Sequence, residues 1–209
     1  MLAGMNVSPH RWFARHGRGL AFGALLATLL LSGCLGSKNP ITPPEAARID
    51  ERLLGAWVTT DLCYNETVYM HVMQQAESGM MDIYEIRYNE GHTGSESAAQ
   101  GHVSILGDRR FLNLQGPPDA GTVDDAPRYT FVAYDFDDRG NLIVHFLSER
   151  AIGDAFAAGR LVGKVDTNAD FVATLVSDSS ERIADYLGSA DTATLFERQV
   201  TFRRVVAPQ

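Results

Sequence analysis

Apolar and polar side chains alternate with a period of two along much of the chain, and this pattern restricts the possible folds more than any other feature. Successive side chains of a β-strand point to opposite faces, so an alternating segment predicts a strand with one buried face. Gly107 and Asp108 have the composition of a two-residue hairpin turn, with glycine at the first central position. Consecutive strands are therefore expected to pair antiparallel. The alternating segments cover residues 67–74, 81–88, 101–106, 110–114, 129–136, 142–147, 160–165, 171–176 and 199–206.

Three segments carry helix signals instead. Residues 42–45 (Thr-Pro-Pro-Glu) predict a helix that Thr42 caps and that continues to Leu53. Ser148 and Asp178 are placed to cap two later helices. The sequence thus predicts a mainly β chain of about eight antiparallel strands with two or three short helices. Such a meander can pair its free edges by closing into a barrel.

The first 33 residues have the parts of a bacterial export signal. Their only charged side chains, Arg11, Arg15 and Arg18, precede the apolar run of residues 20–31. A run of roughly a dozen residues is too short to span a hydrocarbon core of about 30 Å as a helix. The segment therefore predicts a leader that is removed on export. An ordinary secretory signal that happens to contain a cysteine is the alternative.

The end of the leader, Leu31-Ser32-Gly33-Cys34, resembles the lipobox of bacterial lipoproteins, in which a small residue precedes an invariant cysteine. The resemblance implies that Cys34 becomes the first mature residue and carries a diacylglyceryl group on its sulfur and an acyl chain on its amine. Two or three acyl chains hold a protein firmly at a membrane. Leu35, a non-acidic residue, follows, and this favours the outer membrane, facing the periplasm. Residues 34–41 are expected to form a lipidated polar spacer, and residues 42–209 a single domain.

The mature chain is expected to be strongly acidic. The sequence has 18 Lys and Arg and 26 Asp and Glu; the leader removes three arginines and no acid, which leaves 15 against 26 and a net charge of −11. This charge opposes binding to nucleic acid or to anionic head groups, so membrane attachment is expected through lipid alone. Cys34 and Cys63 are the only cysteines. With Cys34 acylated, Cys63 is either a buried small side chain or a redox or intermolecular contact.

A leading short helix, Gly55-Ala56-Trp57 at the head of the first strand and a β-meander together resemble the lipocalin and wider calycin group. The resemblance implies a lipocalin-like barrel in which Trp57 plugs the base and Arg203 or Arg204 stacks over it. The chain lacks the Thr-Asp-Tyr-type second motif, and its helices lie between late strands. It is also similar to a set of bacterial lipoproteins, to which no activity is attached. The shared order is Gly-x-Trp, then residues 107–112, 146–148, 174–187 and 195–196.

No residue pattern predicts a metal or catalytic site. His71, His92, His102 and His145 lack the spacing of zinc ligands. The loop of residues 135–141 lacks the oxygen ligands that an EF-hand needs at its fifth and twelfth positions. There is also no Gly-x-Ser-x-Gly turn and no phosphate-binding glycine loop. The chain is therefore expected to be no enzyme and to carry no cofactor apart from the lipid on Cys34.

Methionine and tyrosine side chains cluster on the second and third strands. Met70, Met73, Met81 and Tyr84 are the candidate lining of a ligand pocket, because methionine adapts to varied apolar ligands. Ordinary core packing is the alternative. The expected function is an envelope binding module for a small apolar molecule or lipid in the barrel mouth. The other hypothesis is a structural or assembly partner of another envelope protein, with a solid barrel core.

Overall fold

The computed structural model describes residues 35–61, 66–75, 79–89, 94–116, 129–166 and 173–205. Within these ranges the chain forms eleven strands and three α-helices. The strands are β1 Leu35–Ser37, β2 Gly55–Asp61, β3 Glu66–Gln74, β4 Met81–Asn89, β5 Ser95–Leu106, β6 Arg109–Gln115, β7 Tyr129–Phe136, β8 Leu142–Leu147, β9 Gly163–Asp166, β10 Ala173–Val176 and β11 Phe196–Arg204. The helices are α1 Glu149–Ala157, α2 Ser180–Ser189 and α3 Thr192–Leu195.

Eight of the strands close into an antiparallel barrel. Strands β2 to β8 pair in chain order, each with the next, and β11 lies between β8 and β2. The closing pair places Arg204 opposite Trp57 and Arg203 opposite Val58. At the predicted β5–β6 hairpin, Gly107 has a φ of +65°, which glycine adopts without strain. The predicted fold class, a mainly β meander that closes into a lipocalin-like barrel of about eight strands, is confirmed.

The two ends of the barrel differ. At the end called the base, Gly55 of β2 lies opposite Val72 of β3; at the end called the mouth, Asp61 lies opposite Glu66. Residues 62–65, 90–93 and 117–128, which join strands at the mouth, are outside the described ranges. Buried apolar side chains fill the interior, mainly toward the base: Leu53, Trp57, Val68, Met70, Val72, Met81, Ile83, Val103, Leu112, Leu114, Val132, Tyr134, Leu142, Val144 and Phe202.

A second apolar core covers the outside of the barrel along β6 and β7. β1 pairs in parallel with β10 and meets β7 where Ser37 lies opposite Tyr129. This short sheet and the helices bury the outward side chains of the wall, as in Phe111 and Phe131, beneath Ile152, Ile183 and others. No helix in the described part of the chain is long and apolar enough to cross a membrane.

The later helices begin close to the predicted caps. Ser148 caps α1, and its Oγ accepts a hydrogen bond from the Ala151 amide at 3.4 Å. The cap of α2 is Ser179 rather than Asp178. The carboxylate of Asp178 instead accepts a hydrogen bond from the Val162 amide at 2.8 Å, so it ties α2 to the segment before β9.

The predicted helix at Thr42 is wrong. The chain there forms only two 3₁₀ turns, Pro44–Ala46 and Glu51–Leu53. The polar groups that would have started a helix bind the barrel wall: Thr42 Oγ1 lies 2.5 Å from Ser104 Oγ, and the Thr42 carbonyl lies 2.8 Å from His102 Nε2. The adjacent Ile41 amide donates to Asn113 Oδ1 at 2.8 Å. A helix would have left these buried groups of β5 and β6 without partners.

The predicted spacer over residues 34–41 is also wrong in its described part. Residues 35–37 form β1, and Leu35, Ser37 and Ile41 are buried. The polar residues of this segment suggest a solvated linker, but its apolar side chains Leu35 and Ile41 are buried in the second apolar core, outside the barrel. The described residues from Leu35 onward are therefore part of the fold.

Candidate functional site

The base of the barrel is closed around Trp57. Its indole is fully buried, and its Nε1–H donates to the Leu53 carbonyl at 2.8 Å. The guanidinium carbon of Arg204 lies 4.3 Å from the indole centroid, and its two terminal nitrogens donate to the Leu54 and Arg52 carbonyls at 2.7 and 2.6 Å. Arg204, and not Arg203, covers the ring, because cross-strand partners share a face and Arg204 is the partner of Trp57.

Glycine at position 55 is required by the same arrangement. Gly55 has a φ of +120°, which side chains of L-residues rarely adopt, and a Cβ there would lie 2.9 Å from Arg204 Nη1. The Gly-x-Trp pattern thus encodes two constraints, a backbone that turns sharply into β2 and an indole that enters the barrel two residues later.

A polar cluster seals the rest of the base. Arg52 donates to both carboxylate oxygens of Asp50 at 2.9 and 2.7 Å, and Tyr134 Oη donates to Asp50 Oδ2 at 3.1 Å. Burial would raise the pKa of Asp50, but the hydrogen bonds from Arg52 outweigh it and lower that pKa. The Arg52 guanidinium also lies 4.6 Å from the centroid of the Phe136 ring. This end of the barrel is closed by satisfied contacts.

The mouth half contains a buried ion pair. Glu85 and Arg87 alternate with outward residues along β4 and point into the barrel, with only 2% and 6% of their surfaces exposed. Arg87 Nε donates to Glu85 Oε1. Burial raises the pKa of the Glu85 carboxyl, and the charge of Arg87 opposes that rise. Glu66 Oε2 lies 3.9 Å from Arg87 Nη1, toward the rim of the mouth.

Two atoms of this pair have no hydrogen-bond partner among the described residues. They are Glu85 Oε2, an acceptor, and Arg87 Nη2, a donor, and both are shielded from solvent. A buried polar group without a partner costs about 1–3 kcal/mol, and more when it is charged. Folded proteins keep few such groups, so each one calls for a specific explanation.

Small side chains line the neighbouring strand at the same level. Across the ladder, Ser97 lies opposite Glu85 and Ser95 opposite Arg87, so both serines face the interior. Nearer the base the packing is tight: a Cβ on Gly101 would lie 2.8 Å from Ile83 Cδ1 and 3.2 Å from Leu112 Cδ1. The interior therefore changes from apolar and closely packed at the base to polar, with small residues, at the mouth.

The structure divides the four predicted lining residues into two pairs. Met70 and Met81 are buried inside the barrel. Met73 and Tyr84 are 39% and 46% exposed and point outward, so the prediction that they line the interior is wrong. The reason is that side chains alternate between the two faces of a strand. Met70 and Met81 lie on the inner face with Val72 and Ile83, whereas Met73 and Tyr84 are an odd number of positions away and face outward.

The outer face of β3 and β4, called here the aromatic face, consists of Tyr69, Tyr84, Ile86 and Tyr88, all exposed. The rings of Tyr69 and Tyr88 meet edge to face with centroids 6.0 Å apart. This face lies across the barrel from β7, where β1 and the helices form the outer core. This face was not predicted from the sequence, although Tyr84, Ile86 and Tyr88, three large side chains at alternate positions of one strand, were the available signal.

A groove of about 390 Å³ lies outside the barrel, on the helical layer, lined by Arg160, Arg182, Asp185, Tyr186 and Ser189. Its arginines hold that layer together. Arg182 Nε lies 3.2 Å from Asp178 Oδ2, and Arg182 Nη2 donates to the carbonyls of residues 159 and 160. The Arg160 guanidinium lies 5.3 Å from the centroid of the Tyr186 ring. Both side chains are thus accounted for by packing.

The described residues contain no group of three or more His, Cys, Asp or Glu side chains that could hold a metal ion. His71 is exposed on the barrel wall, His102 is buried under Thr42, and His145 stacks near Phe196. In the loop considered for calcium, Asp137 accepts hydrogen bonds from the Arg139 and Asn141 amides. The residues Leu31, Ser32, Gly33, Cys34, Cys63 and His92 lie outside the described residues.

No protein-family model matches the chain, and no match was found among curated proteins or among solved structures.

Proposed function

We propose that this protein is a lipid-anchored, non-enzymatic binding module of the bacterial cell envelope, which holds a small amphipathic molecule in the mouth half of its barrel. The observation that carries the proposal is a pair of buried atoms, Glu85 Oε2 and Arg87 Nη2, for which the described part of the chain offers no hydrogen-bond partner, inside a barrel whose other end is closed by Trp57. A ligand with its own polar group would satisfy both atoms.

The residues around the pair favour a ligand that is mostly apolar. Met70 lies directly opposite Glu85 on β3, and Val68 lies opposite Arg87, with all four side chains on the inner face. Ligand sites commonly combine an apolar lining with a few convergent polar groups. The proposed ligand is thus a small apolar molecule or lipid with one polar end.

The lipid anchor is supported by the leader, by the lipobox-like Leu31-Ser32-Gly33-Cys34 and by the start of the fold. Because Leu35 is already part of β1, a lipid on Cys34 would attach the barrel to the membrane with almost no intervening chain. We place the protein on the outer membrane, facing the periplasm. The contact between Trp57 and Arg204 supports kinship with the lipocalin and calycin group. The order of motifs shared with a set of bacterial lipoproteins is consistent with an anchored protein of this kind.

Native mass spectrometry of the full-length protein, expressed in its host and purified from membranes, tests the binding function. We expect a bound small molecule on the wild type and its loss from the double variant Glu85→Met/Arg87→Met. Tyr84→Met, on the same strand but on the outer face, is the matched control and should retain the molecule. A wild-type protein that carries no small molecule would contradict the binding function.

The anchor is tested separately. In the Cys34→Ser variant the lipid has no sulfur to attach to, so the protein should leave the membrane fraction and lose the mass of its acyl groups. If this variant still sediments with membranes, the proposed anchor is wrong, whatever the barrel binds.

A second candidate function, assembly with another envelope protein, is favoured by the aromatic face. Monomers rarely expose a contiguous apolar patch without using it. A photo-crosslinking residue at position 84 should then capture a protein partner in cells, and one at position 181, an exposed glutamate on α2 in the helical layer outside the barrel, serves as the control. Equal labelling at both positions would argue against a specific interface on this face.

A further inference from the structure

The strongest unassigned chemistry in the described residues is the Glu85–Arg87 pair, and its geometry specifies the polar end of the ligand. We infer that the site selects a head group in which a hydrogen-bond donor stands beside an acceptor and which has no net charge, as in an alcohol or a primary amide. The inference rests on the proposed function, because it names the ligand class of the same site.

To bind both Glu85 Oε2 and Arg87 Nη2, a head group must offer a hydrogen-bond donor and an acceptor close together. Arg87 Nε is already engaged by Glu85 Oε1, which leaves Nη2 to donate and Oε2 to accept. A hydroxyl or a primary amide can accept from the arginine and donate to the carboxylate at once. A head group that only accepts would leave Oε2 without a partner, and one that only donates would leave Nη2 without one.

The charges of the site exclude an ionic head group. Glu85 and Arg87 compensate each other, and burying a further uncompensated charge is costly. A carboxylate would approach Glu85 and also Glu66, which lies 3.9 Å from Arg87 Nη1. An ammonium group would approach Arg87 instead. The neutral head group is the one that meets no repulsion from either partner.

The neighbouring strands indicate in which direction the apolar part of the ligand extends. Met70 and Val68 of β3 flank the pair on one side, and Ser97 and Ser95 of β5 flank it on the other. Between Ile83 and the base, the interior is closely packed around Gly101. The apolar tail of the ligand is therefore expected to lie along β3 toward the mouth.

Four probes with one tail test the inference: 1-decanol, decanamide, decanoate and decylammonium, titrated by calorimetry below their micelle concentrations. The protein is the chain of residues 34–209 with Cys34→Ser, which retains every described strand and helix and has no acyl chains to compete for the site. We expect decanol and decanamide to bind about tenfold more tightly, or better, than either ionic probe.

Two variants test whether the Glu85–Arg87 pair binds the head group. In Glu85→Met/Arg87→Met both charges are removed together, which leaves no unpaired buried charge and is commonly neutral or stabilising. This variant loses both hydrogen bonds to the head group, so it should bind decanol and decanamide about tenfold more weakly than the wild type does, whereas Tyr84→Met should bind them as tightly as the wild type does. The wild-type ranking needs no variant, so it decides the inference even if the double variant does not fold.

The outcomes separate the two proposals. If the four probes bind the wild type with similar affinity, or an ionic probe binds best, the head-group inference is wrong and the binding function stands. If Glu85→Met/Arg87→Met folds and binds decanol and decanamide as tightly as the wild type does, another site binds the head group and the inference is again wrong. If the wild type binds none of the probes, the binding function itself is contradicted.

Discussion

Removing the indole at the base of the barrel should destabilise the whole domain. Trp57 is fully buried, and its ring centroid lies 6.1 Å from that of Phe136. Its Nε1–H donates to the Leu53 carbonyl, and the Arg204 guanidinium lies over the ring. Trp57→Ala removes all of these contacts and leaves a cavity at the point where β2 and β11 close the barrel.

The expected cost follows from these contacts. Replacing a buried aromatic side chain with alanine costs about 3–5 kcal/mol, and a domain of this size has a total stability of about 5–15 kcal/mol. Trp57→Phe keeps a ring beneath Arg204 and most of the apolar volume, but it loses the hydrogen bond to Leu53. We expect this variant to lose about 1–2 kcal/mol.

Urea denaturation followed by far-UV circular dichroism measures these differences by linear extrapolation. Met73→Ala, an exposed outward position on β3, is the control and should change the free energy of unfolding by less than about 0.5 kcal/mol. If Trp57→Ala unfolds within about 1 kcal/mol of the wild type, the indole does not close the base, and the lipocalin comparison loses its main structural support.

Three further predictions concern the N-terminal segment and the entry to β2. Asn113→Ala removes hydrogen bonds to the Ile41 amide, the His102 carbonyl and Ser104 Oγ, so it should cost about 2–4 kcal/mol in denaturation; a change below about 0.5 kcal/mol would show that the segment is not held by this residue. Burial lowers the pKa of His102, so the unfolded chain binds more protons as the pH falls below about 6.5, and the free energy of unfolding should decrease from about pH 7.5 to 5.5. His102→Gln should weaken that decrease, and an unchanged pH profile would contradict the assignment. Gly55→Ala forces a side chain into φ +120° beside Arg204, and a cost below about 1 kcal/mol in the same assay would refute that constraint.

The pairing of β2 to β8 in chain order could be predicted from the sequence, because alternation and hairpin turns are local signals. The later segments 160–165 and 171–176 were predicted as part of the same meander, but they form β9 and β10, which lie outside the barrel beside β1. The segment that became β4 shows both the strength and the limit of that reading. Met81, Ile83, Glu85 and Arg87 fall at alternate positions, so they must share a face. The inward position of Met81 implies that Glu85 and Arg87 also point inward, yet charged residues are usually solvated and were not read as interior.

The predictions from the sequence were wrong where contacts between residues distant in the chain outweighed local propensity. Thr42 has the composition of a helix cap, but its hydroxyl and carbonyl bind Ser104 and His102, about sixty residues away. Met73 and Tyr84 were grouped with Met70 and Met81 by residue type. Because side chains alternate along each strand, Met73 and Tyr84 lie on the outer face and Met70 and Met81 on the inner face.

By itself, therefore, the sequence determined a mainly β meander and the Gly-x-Trp entry to its first barrel strand, since each depends on residues close together in the chain; the export leader and the lipid on Cys34 stay predictions. Only the tertiary structure decided that β11 returns to pair with β2, that Arg204 rather than Arg203 covers Trp57, and that Glu85 and Arg87 are enclosed with two atoms unpartnered. Those features depend on which strands meet and in which register, and registers between distant segments are set by packing the whole barrel at once.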